Sequence, residues 1–559
     1  MKSKGRILVV DNNPQVLASV GDFLKANGYT VLTTSSPRQA LKLTREEIVH
    51  LAVIDVRLTD DYDETDLSGL DLAAAMDPAI PKVMLTAYEN PEPIIRSLGP
   101  GKQGMALAVD FVLKRLGPYI LLKAIEKAFQ SKVRLNTGME ITWEKGLSWH
   151  TLVESLKACR GKDESEKRKA AGELEDLVAR LLDRATALRM MRVTSGRGGC
   201  GVVIARPSFG GVMGEDMAIK LGPRKSVMTE FDNYQRWVEP FAAVRSTQLR
   251  GRPVRTSHLG AIKYTFVGER AGRLVHFNDY YLRDDVPVAS IAETLRYLFE
   301  ECCELWYKSK RRPDEKERIP LDVWYRDQLP FYDKHVEELH EVVEGLVHGE
   351  PPPACHFRRQ GPDRLEVTLG DETLSLPDPV YFALEAKSSE RGEDFFPVPS
   401  LVAITHGDLN GTNILVDGEG KAWLIDFFKT GWGPALRDLA ELESVVKFEL
   451  LQTEGLLARY ALERASLGPR SLRHPIQVES PSPPAELGRA AAAVQQLRAL
   501  ACEVADTDDP REYCIGSLFY ALKEMSGLTP GAGEEKHSST NQYHALLSAA
   551  MICETLERS

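Results

Sequence analysis

Four short apolar runs punctuate the beginning of the chain: residues 5–10 (GRILVV), residues 51–56 (LAVIDV), Pro81–Thr86 (PKVMLT) and Ala108–Leu113 (AVDFVL). Continuous runs of this length, without polar alternation, predict strands buried on both faces of a parallel sheet. Between them, Pro14–Asn27 and Pro37–Glu47 carry helical spacing. Strand alternating with helix predicts a doubly wound parallel α/β domain over residues 1–130.

The pattern then changes. A charged run, Lys162–Lys169, leads into Ala170–Met191, where Leu174, Leu177, Val178, Leu181, Leu182, Ala185 and Leu188 share one helical face. Residues 131–191 are therefore expected to form a helical linker. Its long helix is either a dimerising or signal-transmitting element, which would give a homodimer, or a helix packed on the next domain. Strand-like segments return at Val202–Ala205 and Met217–Lys220, and a helix-like segment follows at Thr229–Trp237. Farther on, a Pro-rich stretch (Glu350–Pro353) precedes two alternating runs, Arg364–Leu369 and Glu372–Leu376, which predict a β-rich insertion over about 350–400. Helices are expected at 485–505, 511–526 and 541–557, and loops rich in Pro, Ser and Gly at 465–490 and 526–540.

Composition narrows the class. At 559 residues the chain is too long for one core. A net charge of −11 argues against a general nucleic-acid or anionic-membrane binder, while leaving room for a local basic face. No apolar run is long enough for a transmembrane helix, and the amino terminus lacks a signal-peptide profile. The eight cysteines form no CxxC pair, as expected of reduced thiols in a cytoplasm. Cys302-Cys303 and Cys355-His356 are adjacent pairs whose side chains would point in different directions, a poor start for a zinc site.

The residues richest in chemistry are His406-Gly-Asp408-Leu-Asn-Gly-Thr-Asn413 and, downstream, Ile425-Asp426-Phe427. Asp408 could orient or deprotonate an acceptor hydroxyl, and Asn413 and Asp426 offer oxygen ligands for Mg²⁺ on a triphosphate. These segments resemble the protein kinase superfamily, and the HGDLNGTN wording resembles its aminoglycoside/choline phosphotransferase branch. The upstream series agrees in order. Gly196, Gly198 and Gly201 fit a nucleotide-covering loop, Lys220 ends an apolar strand, and Glu230 is the candidate partner of Lys220. Tyr264–Gly268 resembles the hinge between two lobes. The resemblance implies a bilobal fold, with an amino-terminal lobe over 192–268 and a carboxyl-terminal lobe over 269–559. It also implies ATP and Mg²⁺ as cofactors, with Asp408, Asn413 and Lys220 in catalysis. Asp438 is expected to brace the catalytic loop.

At the carboxyl ends of the four early strands stand Asp11, Asp55, Thr86 and Lys114. This set resembles a response-regulator receiver domain. The resemblance makes Asp55 the phosphoacceptor and Asp11 and Asp55 ligands of Mg²⁺. Thr86, Phe111 and Lys114 become the switch residues. Three departures stand out: Asn12 replaces the usual second acid, Arg115 the usual proline, and the loop after Asp55 is enlarged and acidic (Asp60, Asp61, Asp63, Glu64, Asp66).

Together these features predict a multidomain α/β plus α+β protein in which a receiver controls a kinase-like phosphotransferase. Its acceptor would be a hydroxyl of a protein or a small molecule, and its upstream phosphodonor a histidine kinase. Nucleic acid and membrane are not expected as partners, and the location is expected to be cytoplasmic. The alternative is a non-catalytic ATP-binding scaffold that transmits the receiver state to a partner.

Overall fold

In the computed structural model, the described residues are 3–60, 63, 65–87, 106–195, 199–241, 247–266, 274–328, 333–385, 396–467, 471–479, 484–527 and 539–558. They form two compact units, one of residues 1–228 with 249–265 and one of residues 229–248 with 266–559.

The first unit begins with β1 (Arg6–Val10), α1 (Pro14–Ala26), β2 (Thr30–Thr34), α2 (Pro37–Glu46), β3 (Leu51–Asp55), α3 (Ser68–Ala75), β4 (Lys82–Thr86) and β5 (Asp110–Leu113). The strands are parallel in the order β2-β1-β3-β4-β5. Alternation divides the sheet between two cores. Ile7, Val9 and Val53 pack with Leu24 of α1 and with the helix Pro118–Ala128. Leu8, Val10, Ala52 and Ile54 pack with Ala40 of α2 and Leu70 of α3. Local chemistry starts the helices: Asn13 accepts the amide of Gln15 and Ser36 that of Gln39, each just before a proline at the first helical position. β2 lies outside the expected set. Its sequence, TVLTT, is an edge strand with only Thr34 buried, so it lacks the continuous apolar run of the interior strands.

Residues 131–191 are more than a helical linker, which corrects the sequence expectation. The helix runs over Glu164–Leu181 and ends before the expected Met191, and Ala187–Ser195 is a strand. Together with Glu140–Trp143 it joins a second sheet, in the order Leu259–Phe266, Met217–Pro223, Gly201–Phe209, Ala187–Ser195, Glu140–Trp143. Leu174, Leu177, Val178 and Leu181 are buried against Val203, Ala205, Ile219 and Leu221 of that sheet. The apolar face is thus consumed within the unit, as in the packed-helix alternative. A heptad-like face of this length cannot by itself distinguish a helix partner from a sheet.

In the second unit, strands Val402–Thr405 and Gly431–Pro434 pair antiparallel, as do Ile414–Val416 and Ala422–Leu424. Helices Arg437–Ser444, Leu456–Leu467, Ala485–Ala505, Arg511–Met525 and Ser539–Arg558 follow. The inserted element is a three-stranded antiparallel sheet of Cys355–Arg359, Arg364–Leu369 and Glu372–Pro377. Helix Leu456–Leu467 enters the span expected as loop from residue 465. Buried ionic side chains along it, Arg459 and Glu463, obscure its apolar periodicity.

All eight cysteines are free thiols, and every one but Cys302 is buried. Among the described residues no helix is long and apolar enough to cross a membrane.

Candidate functional sites

At the carboxyl ends of β1, β3 and β5 the chain gathers Asp11, Asp55 and Lys114. The Lys114 ammonium lies 2.7 Å from Oδ2 of both Asp55 and Asp11, and both acids are buried. Burial works against charge on Lys114, but Asp55 and Asp11 hold its ammonium above the ordinary value. Asp55 is oriented by the Val56 amide, which donates to its Oδ1 at 2.9 Å, and Asp11 by the amide of Asn13, also at 2.9 Å. Two buried carboxylates against one ammonium form a hard-oxygen, electron-rich set that fits Mg²⁺. Thr86, buried, ends the neighbouring β4, and Phe111 is half-buried in β5.

Helix α3 approaches this end so closely that a Cβ on Gly69 would stand 1.8 Å from the Asp55 carbonyl oxygen. The enlarged acidic loop has an internal explanation. Asp66 Oδ2 accepts the amides of Thr59 and Asp60 at 2.8 and 2.9 Å. Slight burial opposes its charge, yet the Ser68 hydroxyl and these amides bring the Asp66 carboxyl down to about 2. Asp61 and Glu64 lie outside the described residues.

The second constellation sits in the second unit, on the loop between Val402–Thr405 and Ile414–Val416. Asn413 Nδ2 donates to the Asp408 carbonyl at 2.8 Å and reaches Asp408 Oδ2 at 3.3 Å. That orientation commits Asn413 Nδ2 to Asp408 and leaves Oδ1 as the side chain's acceptor. Asp426 follows strand Ala422–Leu424 with φ of 68°, a left-handed conformation that turns the chain at once into Phe427–Lys429. Two bonds tie that turn to the loop. The Ile425 amide donates to the Asn413 carbonyl at 3.0 Å, and His406 Nε2 donates to the Ile425 carbonyl at 3.0 Å. Asp408, Asn413 and Asp426 thus share one loop cluster, with oxygen donors of the kind Mg²⁺ takes.

The loop is held from below by helix Arg437–Ser444. Asp438 accepts the amides of His406 at 2.7 Å and Gly407 at 2.9 Å, and also the Tyr307 hydroxyl at 3.0 Å. Glu441 accepts the Leu409 amide at 2.9 Å, and Arg437 donates to the Gly407 carbonyl. Gly407 has φ of 82°, and a Cβ there would meet the Lys429 carbonyl oxygen, so this position requires glycine.

The sequence reading missed two participants. Lys429 places its ammonium 3.3 Å from Asp408 Oδ1, beside the candidate base. Glu441 supports the loop from within the core. A lysine three residues after Asp426 was the available signal for the first. A buried acid has none along the chain.

Of the remaining candidates, Lys220 is buried on strand Met217–Pro223 of the first unit, and Glu230 is buried in the second. Gly196 and Gly198 lie outside the described residues. Gly201 opens a strand whose close neighbour is Ser155: a Cβ there would lie 2.5 Å from Ser155 Oγ.

Residues 7–126 match the response regulator receiver domain family. This part of the chain is a receiver domain of the kind found in bacterial two-component response regulators. Residues 358–526, which include Asp408, Asn413 and Asp426, match the family described as Ternary complex associated domain 9. That match covers the segment expected to resemble the aminoglycoside/choline phosphotransferases.

Among similar proteins, the transcriptional regulatory protein ZraR of Escherichia coli K12 is 33% identical over 122 residues, 22% of this chain and 26% of that protein. The alginate biosynthesis transcriptional regulatory protein AlgB of Pseudomonas aeruginosa is 30% identical over 132 residues, 23% of this chain and 27% of that protein. The chain thus spans about a quarter of the length of these relatives. Their names describe these relatives as transcriptional regulators. A CheY-like receiver structure from Methanospirillum hungatei JF-1 is 27% identical with a TM-score of 0.20, covering 23% of this chain and 97% of that one.

Proposed function

We propose that the receiver domain governs a kinase-like phosphotransferase that moves the γ-phosphoryl group of ATP to a hydroxyl of a protein or small molecule. The observation that carries this reading is the braced cluster of Asp408, Asn413 and Asp426. Asn413 and Asp426 would hold Mg²⁺, which neutralises phosphate charge as it develops. Asp408 would accept or orient the acceptor proton, with Lys429 beside it limiting the local negative charge. The kinase resemblance assigns Lys220 to the α- and β-phosphates. In the receiver, Asp55 would take a phosphoryl group from a histidine kinase, and Lys114 would pair with the product.

The match to Ternary complex associated domain 9 favours a second reading, by its name alone: a nucleotide-binding scaffold that transmits the receiver state within an assembly. Single-turnover ATP hydrolysis or autophosphorylation, with and without Asp408→Asn, separates the two. Loss of turnover in the variant supports catalysis, and equal activity overturns the assignment of Asp408. ATP binding without turnover in the unmodified protein selects the scaffold.

A further inference from the structure

Within the first unit, away from the phosphoacceptor end, lies a cavity of about 230 Å³. The receiver lines it with apolar residues, including Met76 and Ile80, and with Arg45, Glu47 and Asp77, while Lys132, Arg180, Arg224 and Arg255 belong to the rest of the lining. The charges do not balance. Arg180 is committed to Asp176, with its Nη2 2.6 Å from Oδ2. Arg224 and Arg255, however, share a single carboxylate: Asp77 Oδ2 faces Arg224 and Asp77 Oδ1 faces Arg255 at 3.1 Å. The remaining lining acid, Glu47, is paired with Arg6, 2.8 Å away. Arg45 and Lys132 make no ion pair among the described residues. The Arg255 Nε is buried with no hydrogen-bond partner.

Two guanidinium groups share one carboxylate and one buried N–H has no acceptor, so an added anion would gain both charge complementarity and a donor. From this geometry we infer a binding site for a small organic phosphate, its dianionic head among Arg255, Arg224, Arg45 and Lys132 and its apolar body against Met76 and Ile80. Arginine suits the head because its planar fork matches phosphate oxygens. The volume, about that of eight water molecules in the liquid, suits a small ligand. The phosphate would compete with Asp77 for the two arginines. The inference stands on the cavity alone and does not require the phosphotransferase reading.

Calorimetric titration of the full chain with phenyl phosphate, at low ionic strength and with EDTA present, tests the site. The expected result is one binding event with a Kd of about 0.1 mM and little heat from phenol, which lacks the charge. The double variant Arg45→Glu, Lys132→Glu should weaken binding about tenfold or more, because both changes reverse charge at exposed positions. Asp77→Asn, which removes the competing carboxylate, should tighten it. Lys25→Glu, a charge reversal on α1, should leave it unchanged. Absence of binding at millimolar phenyl phosphate, or equal affinity in the double variant and the unmodified chain, overturns the inference. Inorganic phosphate binding as tightly as phenyl phosphate overturns the apolar half of the site.

Discussion

Replacing Asp438 by alanine tests whether the candidate catalytic loop is held in place from the helix beneath it. The substitution removes the acceptor for three donors: the His406 and Gly407 amides at 2.7 and 2.9 Å and the Tyr307 hydroxyl at 3.0 Å. Asp438 is fully buried, so the orphaned donors do not simply turn to water. A buried donor left unsatisfied costs roughly 1–3 kcal/mol, and the lower value for each of three gives about 3 kcal/mol. That is enough to open the loop about a hundredfold more often, and below the whole stability of an ordinary domain. Hydrogen–deuterium exchange on a peptide spanning Val402–Val416 reads this directly. The His406 and Gly407 amides should exchange about a hundredfold faster in Asp438→Ala, while the strands of the receiver sheet keep their rates. Asp438→Asn, which retains one acceptor oxygen, should fall between. Unchanged exchange at His406 and Gly407 in the alanine variant would refute the bracing argument.

Acid should weaken the second unit through the buried group of Lys447, Glu463 and His544. Glu463 lies 3.0 Å from Lys447 and 2.9 Å from His544. Burial opposes its charge, yet Lys447 and His544 bring the Glu463 carboxyl from 4.5 down to about 2. A carboxylate lowered by folding contributes stability that is complete above its ordinary value and is lost as pH falls towards the folded one. His544, which burial pushes below 6.5, acts in the same direction: its contribution is complete above 6.5 and lost on acidification. Urea midpoints should therefore fall between about pH 7 and about pH 3, and Glu463→Gln should flatten the lower part of the curve. A second expectation concerns the receiver. Lys114→Met removes the ammonium shared by Asp11 and Asp55, so phosphorylation of Asp55 by acetyl phosphate should slow by about tenfold or more while Mg²⁺ still binds. Mass spectrometry of the Asp55 peptide measures it, and an unchanged rate would remove Lys114 from the phosphoacceptor site.

The receiver sheet was legible because its interior strands are buried on both faces and appear as continuous apolar runs. β2 was not, since a threonine-rich edge strand carries little apolar signal. The segment 131–191 misled for a related reason. The face that includes Leu174 and Leu181 has helical spacing, but the continuation through Ala185 and Leu188 belongs to the same core from a turn and a strand. Periodicity records burial and not the element that achieves it. At the candidate site, Asp408, Asn413 and Asp426 were readable because one loop and the hairpin after it supply them, so short-range order along the chain keeps them together. Glu441 was hidden because its role depends on a helix that returns beneath the loop. Lys429 lay within three residues of Asp426, yet only the turn created by the left-handed Asp426 directs it back to Asp408.

In the proposed function, Asp426 and Asn413 would hold Mg²⁺ on a nucleotide whose γ-phosphoryl group is transferred. The most direct measurement follows radiolabelled γ-phosphate from ATP in the full chain, with Mg²⁺ or with EDTA, for the unmodified protein and for Asp426→Asn. Mg²⁺-dependent release or transfer of the label is expected, reduced about a hundredfold or more by the substitution. Label that stays on intact ATP in the unmodified protein, or moves equally fast in Asp426→Asn, would contradict it.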